Sequence, residues 1–219
     1  MPIRIAAVVL AAGMSRRMGR PKALLPLAGL PLIVRVVEPI ISVGSIGPIV
    51  VVTGHHADQV TRAMDGCEVQ FSHNSEYEAG GMLSSVKTGV RSIQNECDAF
   101  FLVLGDQPLV QSSTYRALLD RDMGLWPMLD RSHGPEAHVT MRQPTFDGCH
   151  GHPILLSSNS IDAILSLPSD ATLKTYTHRI PALEIPVDDP GVLADIDTPD
   201  DYDRAVLEFQ AHRSATCSK

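Results

Sequence analysis

The chain has 219 residues, of which 44% are hydrophobic and 20% are charged, as is usual for a globular protein with one sizeable core. Its formal net charge of −7 at pH 7 argues against broad binding to nucleic acids or anionic membranes. No apolar run is long enough to cross a bilayer, and the N-terminal residues lack the features of a secretory signal. We therefore expect a cytoplasmic protein without a nucleic-acid or membrane partner.

Short apolar, β-branched runs alternate with segments of helical periodicity along the chain. The predicted strands are residues 3–10, 48–53, 68–72, 99–104 and, later, 182–187. The predicted helices are residues 32–43, 57–64, 82–93 and 113–123. Nearly continuous apolar strands are typical of a buried parallel sheet, and the alternation predicts helices on both of its faces. The expected fold is a single-domain, three-layer αβα structure with a mostly parallel, Rossmann-like sheet.

Some segments depart from this rhythm. Pro39 lies inside the first helical pattern and is expected to kink or shorten that helix. Residues 124–151 are rich in Pro, Gly and His and are expected to form loops with one or two strands. Thr198 has the features of an N-cap for a last helix. We expect the domain to span residues 1–213, followed by a disordered tail at 214–219.

The cysteines do not indicate a disulfide framework or a zinc knuckle, because they are scattered without CxxC spacing.

Basic residues, in contrast, are concentrated after the first predicted strand. Four of the 18 Lys and Arg residues lie within seven positions: Arg16, Arg17, Arg20 and Lys22. The first βα loop of a doubly wound sheet is a favoured phosphate site. Its glycines fit neither GxxxxGK[ST] nor GxGxxG, so neither a P-loop ATPase nor a dinucleotide dehydrogenase is predicted.

Acidic residues follow two later segments. Asp106 comes directly after the strand at 99–104, where a hard cation would find an oxygen ligand, although a turn residue is the alternative. Asp195 and Asp197 occupy alternate positions and share one side of an extended backbone. They would either bind a metal or place negative charge before the last helix.

Glycine and histidine mark three further segments. Gly80 and Gly81 precede a predicted helix, where free amides can bind a base edge or a phosphate; a plain loop is the alternative. The segment CHGHP at 149–153 cannot easily direct all its ligand types at one ion. The pair His55 and His56 follows the second predicted strand, where a ligand site is conceivable and a solvated pair is the simpler interpretation.

The first loop also carries a resemblance to a known family. LAAGMSRRMGRPK at residues 10–22 resembles the LAAGxSxRMGxxK signature of the nucleotidyltransferase superfamily and matches every fixed position. VVTGHH, GGMLSS, GDQP, GHP and DIDTP follow in the family's order, so the resemblance spans nearly the whole chain. Within this superfamily the sequence most resembles the molybdenum cofactor cytidylyltransferase branch, whose members have a MobA-like NTP transferase domain. Ala12 in LAAG resembles the cytidylyl branch more than the guanylyl branch.

The resemblance implies a set of site residues. The implied nucleotide-binding residues are Leu10, Ala11, Ala12, Gly13, Ser15, Arg17, Lys22, Gly80, Gly81 and Ser84, the last three over the nucleobase. The implied catalytic residues are Arg17, Lys22 and Asp106. Mg²⁺ would be bound by Asp106 together with Asp195 or Asp197, the choice between these two being open. Gly151, His152 and Pro153 are candidates for the acceptor pocket, with a structural turn as the alternative.

The reaction implied by the resemblance is transfer of CMP from CTP to the terminal phosphate of molybdopterin. It releases pyrophosphate and gives molybdopterin cytosine dinucleotide, and a molybdoenzyme or a chaperone is a candidate partner. One alternative is a related enzyme that uses another NTP, such as GTP, or another phosphorylated acceptor, such as a sugar 1-phosphate. An alternative of a different class is a noncatalytic delivery protein that binds a nucleotide or cofactor.

Overall fold

The computed structural model describes residues 3–120 and 140–216. Its strands are β1 (Ile5–Ala11), β2 (Pro26–Leu27), β3 (Leu30–Pro31), β4 (Ile46–Thr53), β5 (Gln70–His73), β6 (Ala99–Leu104), β7 (Met141–Phe146), β8 (Cys149–His150), β9 (Ile154–Ser157) and β10 (Ala182–Pro186). Its α-helices are α1 (Leu32–Val43), α2 (Ala57–Ala63), α3 (Gly81–Ser92), α4 (Ser112–Leu119), α5 (Ser160–Leu165), α6 (Leu173–Thr177) and α7 (Pro199–Thr216). Short 3₁₀ turns lie at Arg16–Met18, Lys22–Leu24 and Pro190–Leu193.

Among the described residues, eight strands form one sheet in the order β10-β7-β9-β6-β1-β4-β5, with β8 paired to β7. β1 lies near the centre and pairs in parallel with both β4 and β6, and β5 continues the parallel half. β9 runs antiparallel to β6 and β7, while β10 is parallel to β7. Because β1, β4 and β6 are parallel neighbours, their carboxyl ends meet at one edge of the sheet.

Both faces of the sheet are covered by helices. Along β1, Ile5, Ala7 and Val9 belong to a core shared with α1, α4 and α7. The alternate residues Ala6 and Val8 belong to a second core shared with α3 and α5. This alternation follows from the two-residue period of a strand, and it confirms the predicted three-layer αβα fold with a mostly parallel sheet. In the part of the chain that the structure describes, no helix has the length and apolar character needed to cross a membrane.

The predicted strands are all present, with ends that differ by a few residues, and the strand at 99–104 has the predicted bounds. Helix α1 also has its predicted bounds and is not shortened at Pro39. Buried residues on both sides of the proline, such as Val37 and Ile40, pack into the core, and this packing outweighs the lost hydrogen bond. Helix α4 ends at Leu119, with Asp120 as its non-helical C-cap, so it is shorter than the helix predicted at 113–123, of which residues 121–123 lie outside the described ranges.

The later part of the chain contains more structure than the sequence predicts. β7 and β8 are the one or two strands expected within 124–151, of which residues 124–139 lie outside the described ranges. β9, α5 and α6 were not predicted. The last helix begins at Pro199 as expected, and it is described as far as Thr216, within the segment expected to be a disordered tail.

Candidate active site

A cleft of about 520 Å³ lies at the carboxyl ends of β1 and β6. It is lined by the first loop, by the residues that follow β6, by the start of α3 and by a segment before α7. The lining residues are Leu10–Met18, Lys22, Ala23, Tyr77, Gly81, Met82, Ser85, Leu104, Gly105, Asp106, Asp195 and Asp197. The cleft therefore brings together most of the residues that the resemblance implies for nucleotide and metal binding.

Close approach of β1 and β6 depends on a glycine. Leu10 pairs with Leu104, and the amide of Gly105 donates a 3.0 Å hydrogen bond to the carbonyl of Leu10. A Cβ atom at Gly105 would lie 2.4 Å from that carbonyl oxygen, which is closer than any real contact. Gly105 thus allows Asp106 to emerge beside the first loop.

The first loop folds back so that Lys22 points toward β6. Ser15 adopts a left-handed conformation with φ 52°, and Gly19 does so with φ 64°. The hydroxyl of Ser15 accepts a 2.9 Å hydrogen bond from the amide of Lys22, which closes the loop. Small residues at 11–13 line the cleft with little side chain, so that a ligand can approach the backbone.

Lys22 bridges two carboxylates that are distant in sequence. Its Nζ lies 2.8 Å from Oδ2 of Asp106 and 3.0 Å from Oδ1 of Asp197, separations of 84 and 175 residues along the chain. Arg17 lies 2.9 Å from the other oxygen of Asp197. The Lys22 side chain is 16% exposed, so these contacts are partly shielded from water.

The backbone holds the second acidic segment against the first. The amide of Ile196 donates a 3.0 Å hydrogen bond to the carbonyl of Asp106. The side chain of Gln107 donates to Oδ1 of Asp195 at 2.7 Å and to the carbonyl of Val192 at 3.1 Å. These bonds fix Asp195 and Asp197 at the edge of the cleft.

The charged groups perturb one another. Burial alone would lower the pKa of Lys22, but Asp106 and Asp197 outweigh it and raise that pKa. The hydrogen bond from Lys22, with help from Arg17, lowers the pKa of Asp197. Burial and the nearby Asp106 raise the pKa of Asp195, although Gln107 opposes the shift. The two carboxylates of the DIDTP segment therefore occupy different environments.

The carboxylates suit a hard cation that also binds substrate oxygens. Oδ1 of Asp106 is buried and has no hydrogen-bond partner among the described residues. Burial and the like charge of Asp106 raise the pKa of Asp195, and a bound cation would offset both effects. No group of three or more His, Cys, Asp or Glu side chains in the described ranges is arranged to hold a metal ion alone. Mg²⁺ is commonly bound by one or two carboxylates plus phosphate oxygens, and the residues present fit that mode.

At the start of α3 the cleft is lined by Ser85, whereas the sequence predicts Ser84. The Ser84 hydroxyl donates a 2.9 Å hydrogen bond to the carbonyl of Gly81. Ser84 and Gly80 line a separate hollow with Lys87, so the structure does not bring them into the cleft. The GMxxS spacing counted from Gly81 ends at Ser85, and this is the sequence signal that could have identified it.

The GHP segment also lies outside the cleft. A Cβ atom at Gly151 would lie 2.6 Å from the carbonyl of Val192, and the amide of His152 donates a 3.0 Å hydrogen bond to the same oxygen. Burial lowers the pKa of His152, and the Leu102 backbone and Asp106 oppose that shift. Gly151 and His152 thus pack against Val192, and Gly151, His152 and Pro153 do not line the cleft; their assignment to the acceptor pocket stays a prediction.

Sequence reasoning did not identify Tyr77 as a cleft residue. Its hydroxyl lies 3.4 Å from Nδ1 of His55, whose ring contacts that of His56 at 4.4 Å between centroids. Gly54 makes room for this contact, because a Cβ there would lie 2.7 Å from Cβ of Tyr77. His55 therefore contacts a residue that lines the cleft, while neither histidine lines it directly.

Comparison with known proteins identifies the family. The family model of the MobA-like NTP transferase domain matches residues 7–183. The chain is 28% identical over 197 residues to the molybdenum cofactor cytidylyltransferase of Escherichia coli K12, covering 89% of this chain and 92% of that one.

Solved structures show the same relationship. A nucleotidyl transferase from Methanothermobacter thermautotroptrophicus has a TM-score of 0.75 at 25% identity, covering 95% of this chain and 99% of that chain. Rv0371C of Mycobacterium tuberculosis H37Rv, in complex with manganese, has a TM-score of 0.71 at 26% identity, covering 94% and 100%. With most of the chain matched by the family model and the cleft built from the family's motifs, this protein belongs to the MobA-like NTP transferase domain family of nucleotidyltransferases.

Proposed function

We propose that the chain transfers CMP from CTP to the terminal phosphate of molybdopterin, releasing pyrophosphate and forming molybdopterin cytosine dinucleotide. The observation that carries the proposal is the contact of Lys22 and Arg17 with Asp106 and Asp197 in one cleft. Cations of this kind suit a triphosphate, and the carboxylates suit its bound cation. The choice of CTP and molybdopterin is supported by similarity to the Escherichia coli cytidylyltransferase.

Each charged residue has a role in this proposal. Lys22 and Arg17 neutralise charge on the β- and γ-phosphates, Lys22 as a point charge and Arg17 as a planar fork. The backbone at 11–13 approaches the nucleotide. Asp106, with Asp195 or Asp197, would hold a divalent cation, which would supply stabilisation of negative charge on the phosphates. We propose Mg²⁺ as this cation; one structural relative is a manganese complex.

The reaction is an in-line displacement at the α-phosphorus. An oxygen of the acceptor phosphate forms the new bond to phosphorus, and the bond to the oxygen that bridges the α- and β-phosphates breaks. Pyrophosphate leaves with that electron pair. Because the acceptor phosphate is already ionised, the step needs no strong general base. The protein contributes positioning and charge neutralisation, which are the main sources of catalysis in this chemistry.

The test is pyrophosphate release with each of the four NTPs, with and without molybdopterin. We expect release with CTP only when molybdopterin is present. Preference for GTP, or release with a sugar 1-phosphate instead of molybdopterin, would support the related enzymes named above. Tight CTP binding without pyrophosphate release in the presence of any acceptor would support a delivery protein.

Asp106→Ala tests the role of the central carboxylate. It should reduce pyrophosphate release by at least about a hundredfold. The substitution removes both oxygens of the carboxylate, the unpartnered Oδ1 and the Oδ2 that contacts Lys22. Circular dichroism should show an unchanged fold. The exposed Asp170 lies outside the cleft, so Asp170→Ala serves as the control. Normal turnover of the Asp106 variant would show that Asp106 has no part in the reaction.

A further inference from the structure

Asn74 is a buried polar residue behind the wall of the cleft. It is 2% exposed and directly follows β5. Its Nδ2 donates hydrogen bonds of 2.8 Å to the hydroxyl of Ser84 and 3.0 Å to the hydroxyl of Ser85. Its Oδ1 accepts a 3.0 Å bond from the amide of Glu76, and its own amide donates to the carbonyl of Thr53. Asn74 therefore ties the ends of two strands to the first turn of α3.

The orientation of the Asn74 amide follows from its partners. A backbone N–H can only donate, so the group that faces the amide of Glu76 must be Oδ1. The N–H groups then face the two serines, and both hydroxyls act as acceptors. Each hydroxyl keeps one hydrogen that it can donate elsewhere.

The two serines use that hydrogen differently. Ser84 donates it to the carbonyl of Gly81. Ser85 makes no such bond to any described residue, and it lines the cleft, as do Tyr77 and Met82. Because the lone pair toward Asn74 is occupied, the Ser85 hydrogen is directed away from that residue. Ser85 is thus available as a hydrogen-bond donor to a ligand in the cleft.

Gly80 and Gly81, at the N-terminus of α3, support this arrangement. Gly81 has φ +59°, which disfavours other residues. A Cβ atom at Gly80 would lie 2.4 Å from Cβ of Ser84, so a side chain there would push the serine away from Asn74. The backbone of this turn is therefore compatible with the approach of both serines to one amide.

Resting on the proposed function, we propose that Asn74 is a positioning residue that makes Ser85 a hydrogen-bond donor to an acceptor atom on the nucleobase. The charged groups of the cleft, Lys22 and Asp106, suit the phosphates. Tyr77, Met82 and Ser85, which the segment before α3 and the first turns of α3 contribute to the cleft lining, are uncharged, and this suits the base. A ring nitrogen or carbonyl oxygen of the base would accept the bond.

The test is Asn74→Asp, a change of nearly identical shape that replaces the donor by an acceptor. The carboxylate would accept hydrogen bonds from both serines and turn the Ser85 hydrogen away from the cleft. We expect KM for the NTP to rise roughly tenfold, with KM for the acceptor unchanged. Ser85→Ala should cause a similar rise, and the double variant should be no worse than Ser85→Ala alone, since both changes remove one interaction.

Ser84→Ala is the matched control, because it removes a hydroxyl that bonds to the same amide but outside the cleft. Ser84→Ala should keep the wild-type KM for the NTP. If the hydrogen bonds of Asn74 only stabilised the fold, loss of either serine hydroxyl would have the same effect on KM. This serine pair remains decisive if Asn74→Asp does not fold. Equal effects of the two serine variants, a normal KM in Asn74→Asp, or additive losses in the double variant would overturn the inference.

Failure of this inference is distinct from failure of the proposed function. If the inference is wrong, the unmodified protein still binds CTP in calorimetry and transfers CMP, and the variants give one of the contradicting results named above. If the proposed function is wrong, the unmodified protein itself transfers no nucleotide.

Discussion

Lys22 is the residue on which the charge balance of the cleft depends. It contacts Asp106 and Asp197 at hydrogen-bond distance and is mostly buried. A triphosphate would compete with these carboxylates for the same ammonium group. Replacing Lys22 would therefore leave two carboxylates close together and remove a cation from the proposed phosphate site.

We predict that Lys22→Ala lowers kcat/KM for the NTP by roughly 10- to 150-fold, corresponding to the loss of about 1.5–3 kcal/mol from a charge-assisted hydrogen bond. KM for the acceptor should change little, because Lys22 is assigned to the triphosphate. Steady-state kinetics with each substrate varied in turn measures both effects.

The control for this variant is Arg20→Ala. Arg20 belongs to the same basic cluster, but it lies over the ring of Tyr202 and does not line the cleft. It should have nearly wild-type kinetics. An equal loss of affinity for NTP and acceptor in Lys22→Ala would be inconsistent with the role given to Lys22.

Motifs that directly follow a strand can be placed from the sequence. The structure brings Arg17, Lys22 and Asp106 into one cleft because parallel strands bring their carboxyl ends to one edge, while their roles in binding and catalysis stay predictions. The structure places Ser85, and not the expected Ser84, in the cleft lining. Adjacent helical residues differ by about 100° in direction, and only the start of α3 determines which one faces the cleft. Asn74 has no motif of its own, since its role depends on contacts across the fold.

At the scale of elements, long apolar runs were sufficient to predict most strands and helices. β9 and the helices α5 and α6 were missed because each is six residues or shorter, which leaves little periodicity to detect. Ile161 and Ile164 of α5 are buried against the sheet, so that helix depends on tertiary packing. The position of the GHP segment likewise depends on Val192, far along the chain.

The N-terminus of α7 is capped by a reciprocal pair of side chains. Oδ2 of Asp201 accepts hydrogen bonds from the amide of Thr198 at 2.8 Å and from its hydroxyl at 2.7 Å. The hydroxyl of Thr198 accepts from the amide of Asp201 at 3.2 Å, which completes a capping box. Asp201 also accepts from the amide of Asp197, so the cap helps to position a carboxylate of the cleft.

This cap predicts a pH dependence of stability. The hydrogen bonds from Thr198 lower the pKa of Asp201 from 3.8 to about 2. The folded state therefore binds fewer protons, and the contribution to stability is present above about pH 4 and is lost as the pH falls toward about pH 2. In urea titrations between about pH 4 and pH 2, the free energy of unfolding of Asp201→Asn should fall less steeply with decreasing pH than that of the unmodified protein.

Asp200→Asn is the control for the cap. Asp200 lies in the same first turn of α7 but makes none of the capping bonds of Asp201, so the variant should keep the wild-type pH dependence. A wild-type slope in Asp201→Asn would mean that the cap does not account for acid sensitivity in this range.

At the scale of the whole molecule, the topology explains how distant segments form one site. The first loop follows β1, Asp106 follows β6, and the acidic segment before α7 is held to Asp106 through the Ile196 amide. The sequence predicts which edge of the sheet carries the site, because that edge follows from the parallel strands. The sequence does not predict the order of β9, β7 and β10, because this half of the sheet depends on long-range pairing of short strands.

The most direct test of the account is transfer of radiolabel from CTP, labelled at the α-phosphate, to molybdopterin. We predict a labelled molybdopterin product together with an equal amount of unlabelled pyrophosphate, both absent in Asp106→Ala. Label that stays on CTP with every phosphorylated acceptor tried, or undiminished transfer by the Asp106 variant, would contradict the claim that this cleft carries out nucleotidyl transfer.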